Sequence, residues 1–173
     1  MNLYKTTYYL ITFLGIALLT LLFSCTNGIS TGTKKPTLAD YEIGEQLTWD
    51  WRRSINGEVR AQGEDFQEVV AYKNTLGFTY GTDTVTIASI IDRAPSKDAA
   101  IVSYDEVTVA AGTFMAYKIE YKGRISNSRG FDGKLVDTWW YAPELKNYIK
   151  HTQDDGEGLY VNELINYDIP NKQ

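Results

Sequence analysis

Apolar residues fall into two regimes along this chain. Leu10 to Phe23 is an almost unbroken apolar run, whereas from Gln46 onward apolar and polar residues alternate in short segments bounded by turn residues. Alternation with a period of two is the pattern of a half-buried strand, because successive side chains point to opposite faces. Gln46–Arg53 shows it well: Leu47, Trp49 and Trp51 share one face, and Thr48, Asp50 and Arg52 the other. Asn56-Gly57 follows, a strong hairpin signal because both residues accept positive φ, so a return strand is expected from Glu58.

Glu64–Lys73 is ambiguous. Phe66, Val69, Val70 and Lys73 fit a helix face, but the Val and Tyr content favours a strand, the reading adopted. Thr82–Ile91 reads as a strand with Val85, Ile87 and Ile91 on one face and Thr82, Thr84 and Thr86 on the other. Tyr104–Val109 and Thr113–Lys122 form a hairpin around Ala110-Ala111-Gly112, with Met115, Tyr117, Ile119 and Tyr121 opposite Ala116, Lys118, Glu120 and Lys122. Arg124–Lys134 is polar and glycine-containing and reads as a loop; Leu135–Tyr141, Asn147–Thr152 and Leu159–Tyr167 are the last strands.

Thirteen tyrosines, four tryptophans and only four prolines suit such a chain. Turn signals recur roughly every ten residues, the spacing of an all-β protein. The expected architecture is an antiparallel sandwich or half-open barrel of roughly 7–9 strands. It occupies residues 40–173 as one domain, without internal repeats.

The first regime has a different meaning. Lys5 precedes the apolar run, and Leu22-Phe23-Ser24-Cys25 closes it with the only cysteine of the chain. This is the order of a bacterial lipoprotein signal helix, cut between Ser24 and Cys25 with acylation of the Cys25 thiol. An apolar run of about 15 residues is short of the ~20 that span a bilayer. A plain secretory signal would leave the cysteine unexplained. Residues 1–24 are therefore read as signal and 25–39 as acylated Cys25 with a polar tether, whose typical reach is about 20 Å. Thr26 rather than an acidic residue follows the cysteine, which points to outer-membrane sorting in a host with two membranes.

Charge narrows the partners. The full chain carries −5, and removal of Lys5 with the signal takes it to −6. An acidic chain lacks the basic stripe that nucleic acid requires. The membrane contact expected is the lipid anchor, and the domain is expected to be a monomer in the cell envelope with an envelope protein or a lipid as possible ligand.

Two later segments resemble a known group. Val107-Thr108-Val109-Ala110-Ala111-Gly112-Thr113-Phe114-Met115-Ala116-Tyr117-Lys118-Ile119 and Trp139-Trp140-Tyr141-Ala142-Pro143-Glu144-Leu145, with Ile149-Lys150 behind, are similar to hairpins of the TapB-like group of exported bacterial proteins of unknown function. The chain departs from that pattern at Ala111 and Asn147. The resemblance implies a shared antiparallel architecture and carries over no functional residue.

Candidate chemistry is sparse. His151 is the one imidazole, no Gly-x-Ser-x-Gly elbow accompanies it, and it reads as an exposed or satisfied strand histidine. One histidine and no spare cysteine disfavour zinc, and no motif points to a cofactor. Asp105-Glu106 and Asp154-Asp155-Gly156-Glu157 supply paired carboxylates, the second without the spacing of a calcium loop. Trp49, Trp51, Trp139 and Tyr141 are the better lead, as a core or as the lining of a ligand site. Lys118, Lys122, Arg124, Arg129 and Lys134 read as a solvated edge. The favoured function is a non-enzymatic binding or accessory role. The alternatives are a lipid or lipoprotein carrier with an apolar, aromatic-lined cavity, and a hydrolase using Asp154, Asp155 or Glu157.

Overall fold

The computed structural model describes residues 35–91, 99–126 and 132–170. The expected signal, Cys25 and most of the expected tether lie outside them. Residues Thr33–Gln173 make up one unit. A 3₁₀ turn at Leu38–Asp40 leads into nine strands: β1 Gln46–Ile55, β2 Glu58–Tyr72, β3 Thr75–Tyr80, β4 Asp83–Thr86, β5 Ala99–Val109, β6 Gly112–Ser126, β7 Asp132–Ala142, β8 Asn147–Asp154 and β9 Gly158–Asp168. They form a single sheet in the order β4-β3-β2-β1-β9-β8-β7-β6-β5, with every neighbour antiparallel. All pairings join consecutive strands except β1 with β9, which brings the two ends of the domain together at mid-sheet.

The sheet is all-β and open, as the alternation implied. It also rolls: the β5–β6 hairpin tip returns to β9, where the Ala111 N–H donates to the Leu164 carbonyl at 3.2 Å. The roll encloses a core of Leu47, Trp49, Phe114, Leu145, Ile149 and Leu164, each at most 5 % exposed. A second core lies at the other end, where Tyr41, Val69, Phe78 and Ile87 pack together.

Several expectations hold in detail. Asn56 (φ 53°) and Gly57 (φ 79°) form the tight β1–β2 turn. Leu47 and Trp49 are buried and Trp51 half-buried, while Asp50 and Arg52 are exposed. The ambiguous Glu64–Lys73 segment lies in β2, apart from Lys73 itself, which turns with positive φ beside Asn74. Both segments that carry the family resemblance are hairpins, β5–β6 and β7–β8.

Three details differ. Thr82–Ile91 is not one strand: β4 ends at Thr86, and Ile87–Ile91 is a short helix that buries Ile87 completely. Covering the second core with Ile87 outweighs the β preference of a Val- and Ile-rich segment, an instance of tertiary packing overriding propensity. β3 is an additional strand, hidden because its turn uses Lys73-Asn74 rather than glycine. Finally, Arg124–Lys134 is not a loop throughout. β6 and β7 continue pairing to Ser126 and Asp132, with the exposed Arg124–Asp132 ion pair at 2.7 Å across the ladder, so only residues 127–131 lie outside the described strands. Polar side chains on both faces concealed the ladder because this ribbon has little apolar surface to bury. On β6, Phe114 and Ala116 are buried and Met115 is exposed, so the sulfur-bearing face is turned out near the hairpin tip.

Candidate functional site

Pairing β1 with β9 sets side chains from both ends of the chain on one face. Trp49 faces Asp65 on β2 and Leu164 on β9, and Trp51 faces Gly63 and Asn162. On the next strands His151 faces Asn162 and Trp139. The result is a continuous aromatic row. Trp49 stacks on Tyr148 at 4.9 Å, and Tyr148 meets Trp139 edge-on at 4.9 Å. Trp139 stacks on His151 at 3.6 Å, His151 lies 5.5 Å from Tyr160, and Tyr160 stacks on Trp51 at 6.1 Å.

Three of the four predicted lining residues, Trp49, Trp51 and Trp139, thus belong to one cluster. Trp49 is 2 % exposed and its indole N–H donates to the Tyr148 carbonyl, so it packs the core as well as backing the site. Tyr141 is half-buried and sits opposite Tyr148 in the β7–β8 register; burial raises its hydroxyl pKa, with Asp40 adding. Tyr148, Tyr160 and Asn162 were not singled out in the sequence. Their signal was present only as alternation within β8 and β9, which does not reveal the β1–β9 pairing.

Beside the row lies a groove of about 580 Å³ walled by Trp49, Glu64, Asp65, Phe66, Tyr80 and Tyr148. Phe66 and Tyr80 are 44 % and 46 % exposed there. Two of its lining residues are tied to the buried Asn162, whose Nδ2 donates to Asp65 Oδ2 at 3.2 Å and to the Tyr148 hydroxyl at 3.3 Å. Gln67 continues the polar line, donating to Tyr80 and accepting from Asn147. Burial pushes the Tyr148 hydroxyl pKa well up, and Asp65 adds to the shift, so this phenol stays protonated.

His151, Asp154 and Asp155 are engaged in structure. His151 is 9 % exposed, and its Nε2 meets Asp137 Oδ1 at 2.6 Å; burial lowers its pKa and Asp137 partly opposes that. Asp154 accepts from the Gly156 N–H. Asp155 accepts from the Glu157 and Gly158 N–H groups and pairs with Arg53 at 2.7 Å. These carboxylates brace the β8–β9 turn. Among the predicted basic cluster, Lys122 pairs with Glu120, Arg124 with Asp132, and Lys118 lies over the Trp140 ring; Arg129 is outside the described residues. Among the described residues, no group of three or more His, Cys, Asp and Glu side chains is placed to hold a metal ion.

Fold and site together define an all-β protein with one open, rolled antiparallel sheet and an aromatic, acidic groove at its β1–β2–β3 side. No family model matches the chain, and no curated protein matches it. Among solved structures it is similar to a protein with a YmcC-like fold from Bacteroides fragilis, at 12 % identity and a TM-score of 0.42, over 74 % of this chain and 97 % of that one. It is also similar to LprF from Mycobacterium bovis, at 12 % identity and a TM-score of 0.36, over 80 % of this chain and 94 % of that one. Likenesses this distant carry no functional argument.

Proposed function

We propose that this is a lipid-anchored protein of the bacterial cell envelope that works by binding rather than by catalysis, with the groove over Asp65 and Tyr148 as its ligand site. The groove carries the reading: it is open, of ligand size, and combines exposed rings with hydrogen-bonding groups on a rigid sheet. The lipobox ending at Cys25 supplies the anchor and the location. Two of the carboxylates of the hydrolase alternative, Asp154 and Asp155, are engaged in bracing the β8–β9 turn. A carrier cavity for acyl chains would be apolar, whereas this wall includes Glu64 and Asp65.

The test is native mass spectrometry of the full-length protein, expressed in an envelope-competent bacterium and released from the membrane in a neutral detergent. The expected mass is that of a chain beginning at acylated Cys25, without a constitutively bound lipid. Cys25→Ser is expected to lose the acyl mass and leave the membrane fraction. A co-purifying lipid adduct that persists after detergent exchange would instead establish the carrier, and an unacylated chain would remove the anchor from the reading.

A further inference from the structure

We infer that the groove takes an extended, basic segment of a partner protein, which adds as a strand along the outer edge of β2. This inference rests on the binding role just proposed and names the partner class of that site.

The sheet leaves a lane open there. β2 runs from Glu58 to Tyr72, but β3 pairs with it only from Gln67 to Tyr72. On its other side β1 accompanies it from Glu58 to Glu68. Among the described residues, 58–66 therefore have a strand on one side only. Burial changes at the same place: Gln67 is 2 % exposed, whereas Glu64, Asp65 and Phe66 are all exposed.

Backbone direction fits the lane to a strand. The Val69 N–H donates to the Glu45 carbonyl, and the Val69 carbonyl accepts from Gly44, both on the β1 side. Alternation turns the N–H and C=O groups of Glu68, Phe66, Glu64 and Gln62 the other way. Glu68 meets β3, where Thr79 lies opposite and its hydroxyl accepts the Glu68 N–H. Phe66, Glu64 and Gln62 turn theirs into the open lane, and such an edge is a template for another strand. The bulge at Arg60 ends the regular run beyond Gln62. The groove lies in this lane. Glu64 and Phe66 project to one face of β2 and Asp65 to the other, with Tyr80 on the Asp65 side. A groove lined by all four, and by Gly81 where β3 has ended, wraps the edge and lies on neither face alone.

Charge selects the guest. Glu64 and Asp65 stand on opposite faces of the edge, and neither forms an ion pair among the described residues. No lysine or arginine lines the groove. Side chains of an added strand alternate between the same two faces, so two consecutive basic residues reach both carboxylates. The exposed rings of Phe66 and Tyr80 add faces that attract cations. A second copy of this chain fits less well. Its own residues 58–66 hold three carboxylates and one arginine, Arg60, which is engaged with Glu58.

Isothermal titration and NMR amide exchange on the full-length, detergent-solubilised protein test this. The probe is the capped octapeptide Thr-Lys-Lys-Val-Thr-Lys-Lys-Val. Its comparators are the same peptide methylated at alternate backbone nitrogens, its counterpart with Glu for Lys, and the neutral sugar maltotriose. The basic peptide is expected to bind saturably and to slow exchange at Gln62, Glu64 and Phe66 more than at Asp65. The methylated form keeps every charge but loses donors, and should bind about tenfold or more weakly. Glu64→Gln should weaken binding about tenfold, one charge-assisted contact. Gln62→Pro should do the same while sparing the β1 ladder, because the Gln62 N–H points away from β1. Glu106→Gln, on the edge strand at the other end of the sheet, should leave binding unchanged. Equal binding of the methylated or the acidic peptide, or equal loss in Glu106→Gln, would overturn the inference. Dimerisation that Gln62→Pro abolishes would overturn it in favour of a second copy. Maltotriose binding with no peptide binding would overturn the added strand and keep the groove as a ligand site. Binding of no probe would remove both.

Discussion

The His151 imidazole lies flat on the Trp139 indole, with ring centroids 3.6 Å apart and planes 11° from parallel, while its Nε2 meets Asp137. Cross-strand register puts the two rings opposite each other, and Asp137, two residues along β7, receives the imidazole edge. An isolated histidine in the sequence is therefore a joint between the aromatic row and the polar side of the sheet.

This joint titrates. Burial holds the His151 pKa below its ordinary value of 6.5 despite Asp137. The unfolded chain therefore takes up the proton first as pH falls, and stability declines as pH drops below about 6.5. Urea midpoints should fall between pH 7.5 and 5.5, and His151→Gln should flatten that part of the profile. Parallel profiles for the two proteins would assign the titration to another group.

Lys146 ties the entry segment to the β7–β8 turn. Its Nζ meets Glu45 Oε1 and the Asp40 carbonyl, each at 2.6 Å, and lies over the Tyr41 ring. The two side chains are 14 % and 3 % exposed. Lys146→Met leaves the Glu45 carboxylate buried without a cation, with the Glu42 N–H still donating to it, and should cost about 3–5 kcal/mol in denaturant titration. Adding Glu45→Gln should recover much of that loss, because the stranded charge is then gone.

Asp155 moves stability in the same direction with pH as His151, but in a more acidic window. Burial pushes its carboxyl up, but Arg53 and the Gly158 and Glu157 N–H groups outweigh this and hold it below the usual range. Its stabilisation is present above the ordinary Asp value of about 4 and is lost as pH falls through the lower folded value. Arg53→Met should cost about 1–3 kcal/mol at pH 7, and the gap to the native protein should narrow as pH falls below about 4. A gap independent of pH would mean that packing, not the ion pair, is lost.

Gly63 lets Trp51 lie down. A β-carbon at Gly63 would stand 3.1 Å from three indole atoms. Because Trp51 is half-buried it can tilt, so Gly63→Ala should change stability by about 1 kcal/mol or less. It should also turn the indole away from Tyr160. A shifted Trp51 emission, read in a variant whose other tryptophans are phenylalanine, would record that tilt; unchanged emission would show that the ring is held from elsewhere.

Leu164→Ala tests the roll of the sheet. Leu164 is fully buried, and its carbonyl receives the Ala111 N–H. The cavity should cost about 2–5 kcal/mol. Hydrogen exchange should rise at Ala111 more than at the β2–β3 end, since the hairpin tip loses its seat; uniform acceleration would show that the roll opens only with global unfolding.

Much of this was legible in the chain, because alternation is local. Leu47, Trp49 and Trp51 declare a face within six residues, and Asn56-Gly57 declares its turn from two. The helix at Ile87 was not legible, because it forms to cover Val69 and Phe78, which β2 and β3 bring together only once the sheet is formed. The candidate site was half legible: three of its tryptophans stood out, whereas Tyr148, Tyr160 and Asn162 gained meaning only when β9 paired with β1.

By itself the sequence determined an all-β architecture and most strand faces, which rest on spacing between near neighbours. The tertiary structure alone decided that the sheet is single and rolled, that Asp65 meets Asn162, and that His151 lies on Trp139. These are contacts between segments up to about a hundred residues apart, set by strand order and register. A two-residue period specifies which way a side chain points, but it leaves open which strand will lie alongside.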